Sequence, residues 1–166
     1  MNNIPNGSAV FVYPCKKSSL LDKFISFWEN PFGEAPFHCG IIINEPDGQK
    51  VFQADPDGVY CVPIEYYKDN KLCFFKLPDH VNFDVEWTEN FFKHIKYSYL
   101  GASVSAVAEY IPDAKELDIT HKKFCSQAVI DAYTHMGFKF NNDCVNPYQL
   151  LKYFSWLGLN ELEVTP

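Results

Sequence analysis

An α+β fold, a curled antiparallel sheet or partial barrel with helices packed on it, is predicted by three features of the sequence. Short β-branched and aromatic runs crowd the first half, with Pro-Asp-Gly turns between them. Longer segments with apolar residues at helical spacing fill most of the second half. The chain is 47% hydrophobic, which at 166 residues supplies a full core and argues for one domain over residues 1–166.

The elements follow in order. Residues 8–13, SAVFVY, form a first strand. Ser18 or Ser19 can cap a helix over LLDKFISFWEN, where Leu20, Leu21, Phe24, Phe27 and Trp28 recur at helical spacing. Asn30-Pro31-Phe32-Gly33 ends it. FHCGIIIN, KVFQAD, VYCVPIE and KLCFFKL are then four further strands, the first three joined by turns at 45–48 and 56–58 as an antiparallel meander. VEWTENFFKHIK is a helix with Trp87, Phe91, Phe92 and Ile95 on one side. Gly101 to Tyr110 is a helix or a packed loop, and Pro112 to Thr120 a polar surface loop. A helix from Cys125 to Met136 is stopped by Gly137, and Pro147 suits the first turn of a last helix, YQLLKYFSWL.

Composition excludes several classes. The net charge is −7 and all 14 basic residues are lysine, a poor basis for the clustered phosphate contacts of a nucleic-acid binder. No cationic stretch followed by an apolar run opens the chain, and no run of 18 apolar residues occurs. A cytoplasmic protein without stable membrane insertion is expected. The cysteines are Cys15, Cys39, Cys61, Cys73, Cys125 and Cys144. None forms a C-x-x-C pair, so neither structural zinc nor a disulfide framework is expected, and His121 with Cys125 lacks further ligands at a usual spacing. No cofactor is implied.

Two residues carry chemistry. Cys125, in KKFCSQ, opens a predicted helix. Unpaired backbone N–H groups, the positive end of the helix dipole and nearby lysines all favour the thiolate there, which is the nucleophilic form. His38, in PFHCGI, stands at the mouth of an apolar strand beside Gly40, a setting that can hold one rotamer while a substrate backbone passes close by. Each also has a plain structural alternative, a packed helix cysteine and a satisfied core or edge histidine. Adjacent strand residues point to opposite faces, so only one of His38 and Cys39 can face a cleft, and Cys39 is assigned to packing. The rival bases His121, His94, His80 and His135 lie in loop, surface or element-end settings.

The order of a histidine strand, a meander, a helix and Phe-Cys-Ser at a helix start resembles the circularly permuted NlpC-type papain-like hydrolases, in particular their YiiX-like branch. The matching stretches are Gly7 to Tyr13, FHCGIII (37–43), VFQAD (51–55), KYSYLG (96–101), FCSQAVIDAYTHMG (124–137) and NPYQLL (146–151). The resemblance implies a permuted papain-like topology with Cys125 as nucleophile and His38 as general base. The family's third polar residue is often glutamate on the strand after the histidine; here Gln53 holds that place and Asp55 is its rival. A glutamine can fix the imidazole tautomer but cannot stabilise imidazolium by charge. On that ground Gln53→Glu is expected to keep or raise activity. The register that decides between Gln53 and Asp55 is open at this stage. The same likeness puts Tyr13 and Ser126 on the substrate side, with a core tyrosine the alternative for Tyr13.

These features imply a cysteine peptidase or amidase acting on a small peptide or acyl-amide, with Phe32, Phe37, Tyr60, Tyr66 and Tyr67 near the cleft. Phe124-Cys125-Ser126-Gln127 does not match the Asn-Cys-Glu-His type motif of the lipid-directed acyltransferases of this family. That activity, and a catalytically inactive binding module of the same fold, are the alternatives.

Overall fold

The computed structural model describes residues 4–31, 33–55, 57–92, 96–97, 122–140 and 146–162. The predicted segment Gly101–Tyr110, the loop Pro112–Thr120, and Phe32, Ile95, His94, His121 and Cys144 lie outside the described residues, as do the side chains of Leu21, Trp28 and Phe92.

A six-stranded sheet organises the described residues. Its strands are β1 (Ala9–Val12), β2 (His38–Glu45), β3 (Gly48–Asp55), β4 (Gly58–Pro63), β5 (Leu72–Lys76) and β8 (Asn160–Leu162), in the order β4-β3-β2-β1-β5-β8, with every pairing antiparallel. The helices are α1 (Leu20–Glu29), α2 (Val85–Phe92), α3 (Cys125–His135) and α4 (Pro147–Trp156). A short 3-10 turn, Ile64–Tyr67, follows β4, and two-residue strands β6 (Lys96–Tyr97) and β7 (Lys122–Lys123) pair in parallel apart from the main sheet. The fold is α+β as expected, but the sheet is open: β4 and β8 are its two free ends and do not pair, so no curled partial barrel forms.

Strand alternation divides the core between the two sheet faces. Phe11, Cys39, Ile41, Ile43, Phe52, Ala54 and Phe75 turn to the face covered by α3 and α4, where Ala128, Val129, Tyr133, Leu150 and Phe154 meet them. Val10, Val12, Ile42, Val51, Val62 and Phe74 turn to the other face with Ile4, Ile64 and Tyr67. The turns make this register: Glu45 pairs with Gly48 and Asp55 with Gly58, and those two glycines take φ of 136° and 132°, a region that favours glycine.

Helix α1 departs from the sequence pattern. Ser19 caps it in a capping box with Asp22. Its apolar residues Leu20, Phe24 and Phe27 are exposed, while Ser26 and Glu29 are buried. Polar anchors set this roll: Ser26 Oγ donates to the Ala35 carbonyl at 2.6 Å, and Glu29 accepts from the Tyr148 N–H at 3.1 Å. No described helix is long and apolar enough to cross a membrane.

Candidate active site

Cys125 is the first residue of α3. The preceding Phe124 is extended, at φ −119° and ψ 173°, and makes no side-chain cap. The first bond within the helix runs from Ala128 N–H to the Phe124 carbonyl, 3.0 Å. The Cys125 N–H therefore lies outside the helical ladder, and the positive end of the helix dipole falls at the sulfur.

His38 is the first residue of β2, paired with Val12 of β1. It is 8% exposed, and its ring lies 6.1 Å from that of Tyr67 between centroids. Cys39, next in the strand, turns to the α3 face. Cys125 interacts with both: the His38 imidazole acts on its thiol by charge and hydrogen bonding, and the Cys39 thiol and backbone N–H by hydrogen bonding. Because His38 opens the strand, a group at the end of the sheet reaches the imidazole without crossing the sheet.

Gln53 of β3 is 2% exposed. Its Oε1 lies 3.0 Å from His38 Nε2 and also accepts from the Tyr67 hydroxyl. Its Nε2 donates to Asp55 Oδ2 at 3.0 Å. Asp55 further accepts from the Tyr60 hydroxyl and, at 2.9 Å, from the Asp57 N–H. These bonds determine each other. A carboxylate only accepts, so the amide nitrogen must face Asp55 and the amide oxygen must face His38. His38 then carries its proton on Nε2, which leaves Nδ1 for the sulfur. Gln53 and Asp55, alternatives in the sequence, act in series: Gln53 meets the imidazole and Asp55 holds Gln53.

Electrostatics follow from these contacts. The hydrogen bond from Cys39 acts most strongly on the Cys125 thiol; burial opposes it, and the charge and hydrogen bond of His38 reinforce it. The net result holds Cys125 well below the ordinary thiol range. Burial, then the hydrogen bond and charge of Cys125, push Cys39 well above it. The negative charge belongs on Cys125, which alone of the two has both the helix N-terminus and the imidazole. Burial by itself would lower His38, but the Cys125 charge, the bonds to Cys125 and Gln53 and the charge of Asp55 together raise it. Burial raises Tyr67, so its hydroxyl remains a donor to Gln53.

A cavity of about 410 Å³ reaches His38 and Asp55, walled by Phe37, Tyr66, Tyr67, Cys15, Lys17 and Asp69 among others. Cys125, 6% exposed, lines neither this cavity nor a second one of about 300 Å³. Tyr13 lines the second cavity, with the Lys71 ammonium 4.8 Å from its ring centroid, and does not join His38. Ser126 is fully buried in α3 and lines neither cavity. Tyr60 reaches the site through Asp55, to which its hydroxyl donates, and through Gln53.

His80 is exposed, and His135 stacks on Trp87 at 3.7 Å, 3.8 Å from Asp84. Gly40 does not leave room for a substrate: a Cβ there would stand 2.6 Å from the Phe52 carbonyl oxygen, so the glycine serves the packing of β2 on β3. Five cysteines, Cys15, Cys39, Cys61, Cys73 and Cys125, are free thiols. Ligand-type atoms of Glu45, Cys61 and Glu89 lie within 4.8 Å of one another, but the Lys50 ammonium already pairs with Glu45 at 2.7 Å.

Sequence reasoning missed two residues near the sulfur. Cys39 was assigned to packing; the face argument that separated it from His38 also aims it at α3, which was the available signal. Glu29 gave none, because a glutamate ending an amphipathic helix reads as solvated. The chain matches no protein-family model and no curated protein.

Proposed function

We propose that this protein is a thiol hydrolase of amide bonds, a cysteine amidase or peptidase, with Cys125 as nucleophile, His38 as acid and base, and Gln53 as orienter. The observation that carries this is the run of interactions from Cys125 through the His38 imidazole to Gln53. The likeness of residue order to the permuted NlpC-type hydrolases supports it.

The Cys125 thiolate adds to the carbonyl carbon, and the oxygen becomes an oxyanion within reach of donors at the start of α3, the Cys125 N–H first among them. When the tetrahedral intermediate collapses, the C–N bond breaks and His38 gives its proton to the leaving amine. Water then attacks the thioester with His38 taking its proton, the C–S bond breaks, and acid and thiolate are released. The aromatic and polar walls of the cavity at His38 suit a small peptide or acyl-amide.

A thiol-reactive probe at mildly acidic pH tests this. A catalytic cysteine labels there while ordinary thiols are protonated, so labelling should fall on Cys125 and drop in His38→Ala. Absence of selective labelling at Cys125 would count against a hydrolase. It would favour a binding module of the same fold, which the neutral Gln53 and the absence of Cys125 from both cavity walls also support.

A further inference from the structure

Glu29 ends α1 in the interior, 3% exposed. Its Oε2 accepts from the Tyr148 N–H in the first turn of α4. Its Oε1 is buried and has no hydrogen-bond partner among the described residues. No ion pair of the described residues includes it. One thiol acts on it electrostatically, Cys125 from α3, while Glu29 in turn acts on the Cys39 thiol of β2. Cys125 and the Tyr148 N–H from α4 are the groups that influence its charge among the described residues.

A carboxylate in this position would be a buried charge without a cation, with one oxygen unsolvated. It would also stand near a sulfur that carries negative charge. The α4 N-terminus compensates at Oε2 alone. A carboxylic acid with its proton on Oε1 removes the unpaired charge, and a neutral group costs far less than a charge to leave unsolvated.

We propose that Glu29 is a tuning acid for Cys125: it keeps its proton, on Oε1, so that the negative charge of this buried region resides on the sulfur, where His38 and Cys39 stabilise it. The proposal rests on Cys125 being the nucleophile. Glu29 acts through the sulfur and is a positioning residue, not a catalytic one. Burial first, then the Cys125 charge, push its carboxyl well above the usual range, against the pull of the Tyr148 N–H. The coupling is reciprocal: ionising Glu29 raises the cost of the thiolate, and the thiolate raises the cost of ionising Glu29.

Difference infrared spectroscopy on the full chain reads this proton directly, because a carboxylic acid and a carboxylate have distinct carbonyl stretches. At neutral pH the wild-type protein should show an acid band that moves on 13C labelling of glutamate and vanishes in Glu29→Gln. As pH rises the band titrates away. In Cys125→Ala its midpoint should fall by about one pH unit, a tenfold change in proton affinity, because the neighbouring negative charge is gone. No acid band in the wild type at neutral pH, or an unmoved midpoint in Cys125→Ala, would overturn the proposal, and neither measurement needs Glu29→Gln to fold. The hydrolase assignment fails separately, if Cys125→Ala turns over substrate as the wild type does; the band still reports on Glu29.

Discussion

The side-chain oxygen of Gln53 lies 3.0 Å from Nε2 of His38, while the nitrogen of the same amide lies 3.0 Å from Asp55 Oδ2. A neutral side chain thus links an imidazole to a carboxylate and transmits orientation without transmitting charge. Asp55 decides which way the amide faces, and the amide decides which imidazole nitrogen holds the proton.

In the proposed hydrolase, loss of the nucleophile and loss of its orienter should differ in degree. Cys125→Ala should abolish turnover, whereas Gln53→Ala should lower kcat/KM by roughly ten- to a thousand-fold, since it changes how often the base is correctly placed. Asp55→Ala should fall in the same direction by less, because Tyr67 still donates to the Gln53 oxygen. Full activity in Gln53→Ala would remove Gln53 from the mechanism.

Gln53→Glu tests the linkage more sharply, and the structure reverses the expectation drawn from charge alone. The new carboxylate would support the imidazolium, but its second oxygen would face Asp55 at the 3.0 Å now spanned by a hydrogen bond. Like charges at that distance cannot both ionise cheaply. Gln53→Glu should therefore lower kcat/KM at neutral pH, and Gln53→Glu with Asp55→Asn should recover it, a coupling that a double-mutant cycle measures. Equal activity of the single and double variants would show that the two positions do not communicate.

The pH dependence follows from opposite shifts. Cys125 is held low, so its thiolate forms and reacts at a pH where ordinary cysteines remain protonated. His38 is held high, so the imidazolium persists past its ordinary value and is lost as pH rises through the folded value. Alkylation of Cys125 should extend to acidic pH, and acylation by an amide substrate should decline on the alkaline side as the leaving-group proton is lost. His38→Ala should move the alkylation curve to higher pH, because the positive neighbour is gone. An unmoved curve would mean that the imidazole does not stabilise the thiolate.

Gly40→Ala should destabilise the fold rather than alter the chemistry directly. The added Cβ would stand 2.6 Å from both the Phe52 carbonyl oxygen and Val51 Cγ1, in the sheet two residues from His38. Overpacking against a neighbouring strand costs about 1–3 kcal/mol. Chemical denaturation should show a lower midpoint with an unchanged slope.

Local pattern was enough for most elements. Alternation and turn residues marked β1 to β5, the Ser18-Ser19 pair marked the start of α1, where Ser19 proves to be the cap, and Pro147 and Gly137 marked an end each of α4 and α3. Three-residue β8 left no trace, because Asn160–Leu162 forms a strand only by pairing with β5. Helix α1 misled in a different way: its spacing identified a helix, yet Leu20, Phe24 and Phe27 face outward, because Ser26 and Glu29 have buried partners on Ala35 and Tyr148 that no periodicity reveals.

The α+β class, the helix start at Cys125 and the strand start at His38 are legible in the chain alone, since they depend on near neighbours: side-chain period, cap residues and turn chemistry. Three-dimensional packing was needed for the rest: that the sheet stays open, that Gln53 rather than Asp55 meets the imidazole, that Cys39 acts on the Cys125 sulfur and that Glu29 is buried. Those outcomes depend on strand register and on contacts between elements far apart in the chain, α3 with β2 and β3 and α1 with α4. A shift of one residue in register, or a turn of α1 about its axis, would leave every local preference satisfied and dismantle the site.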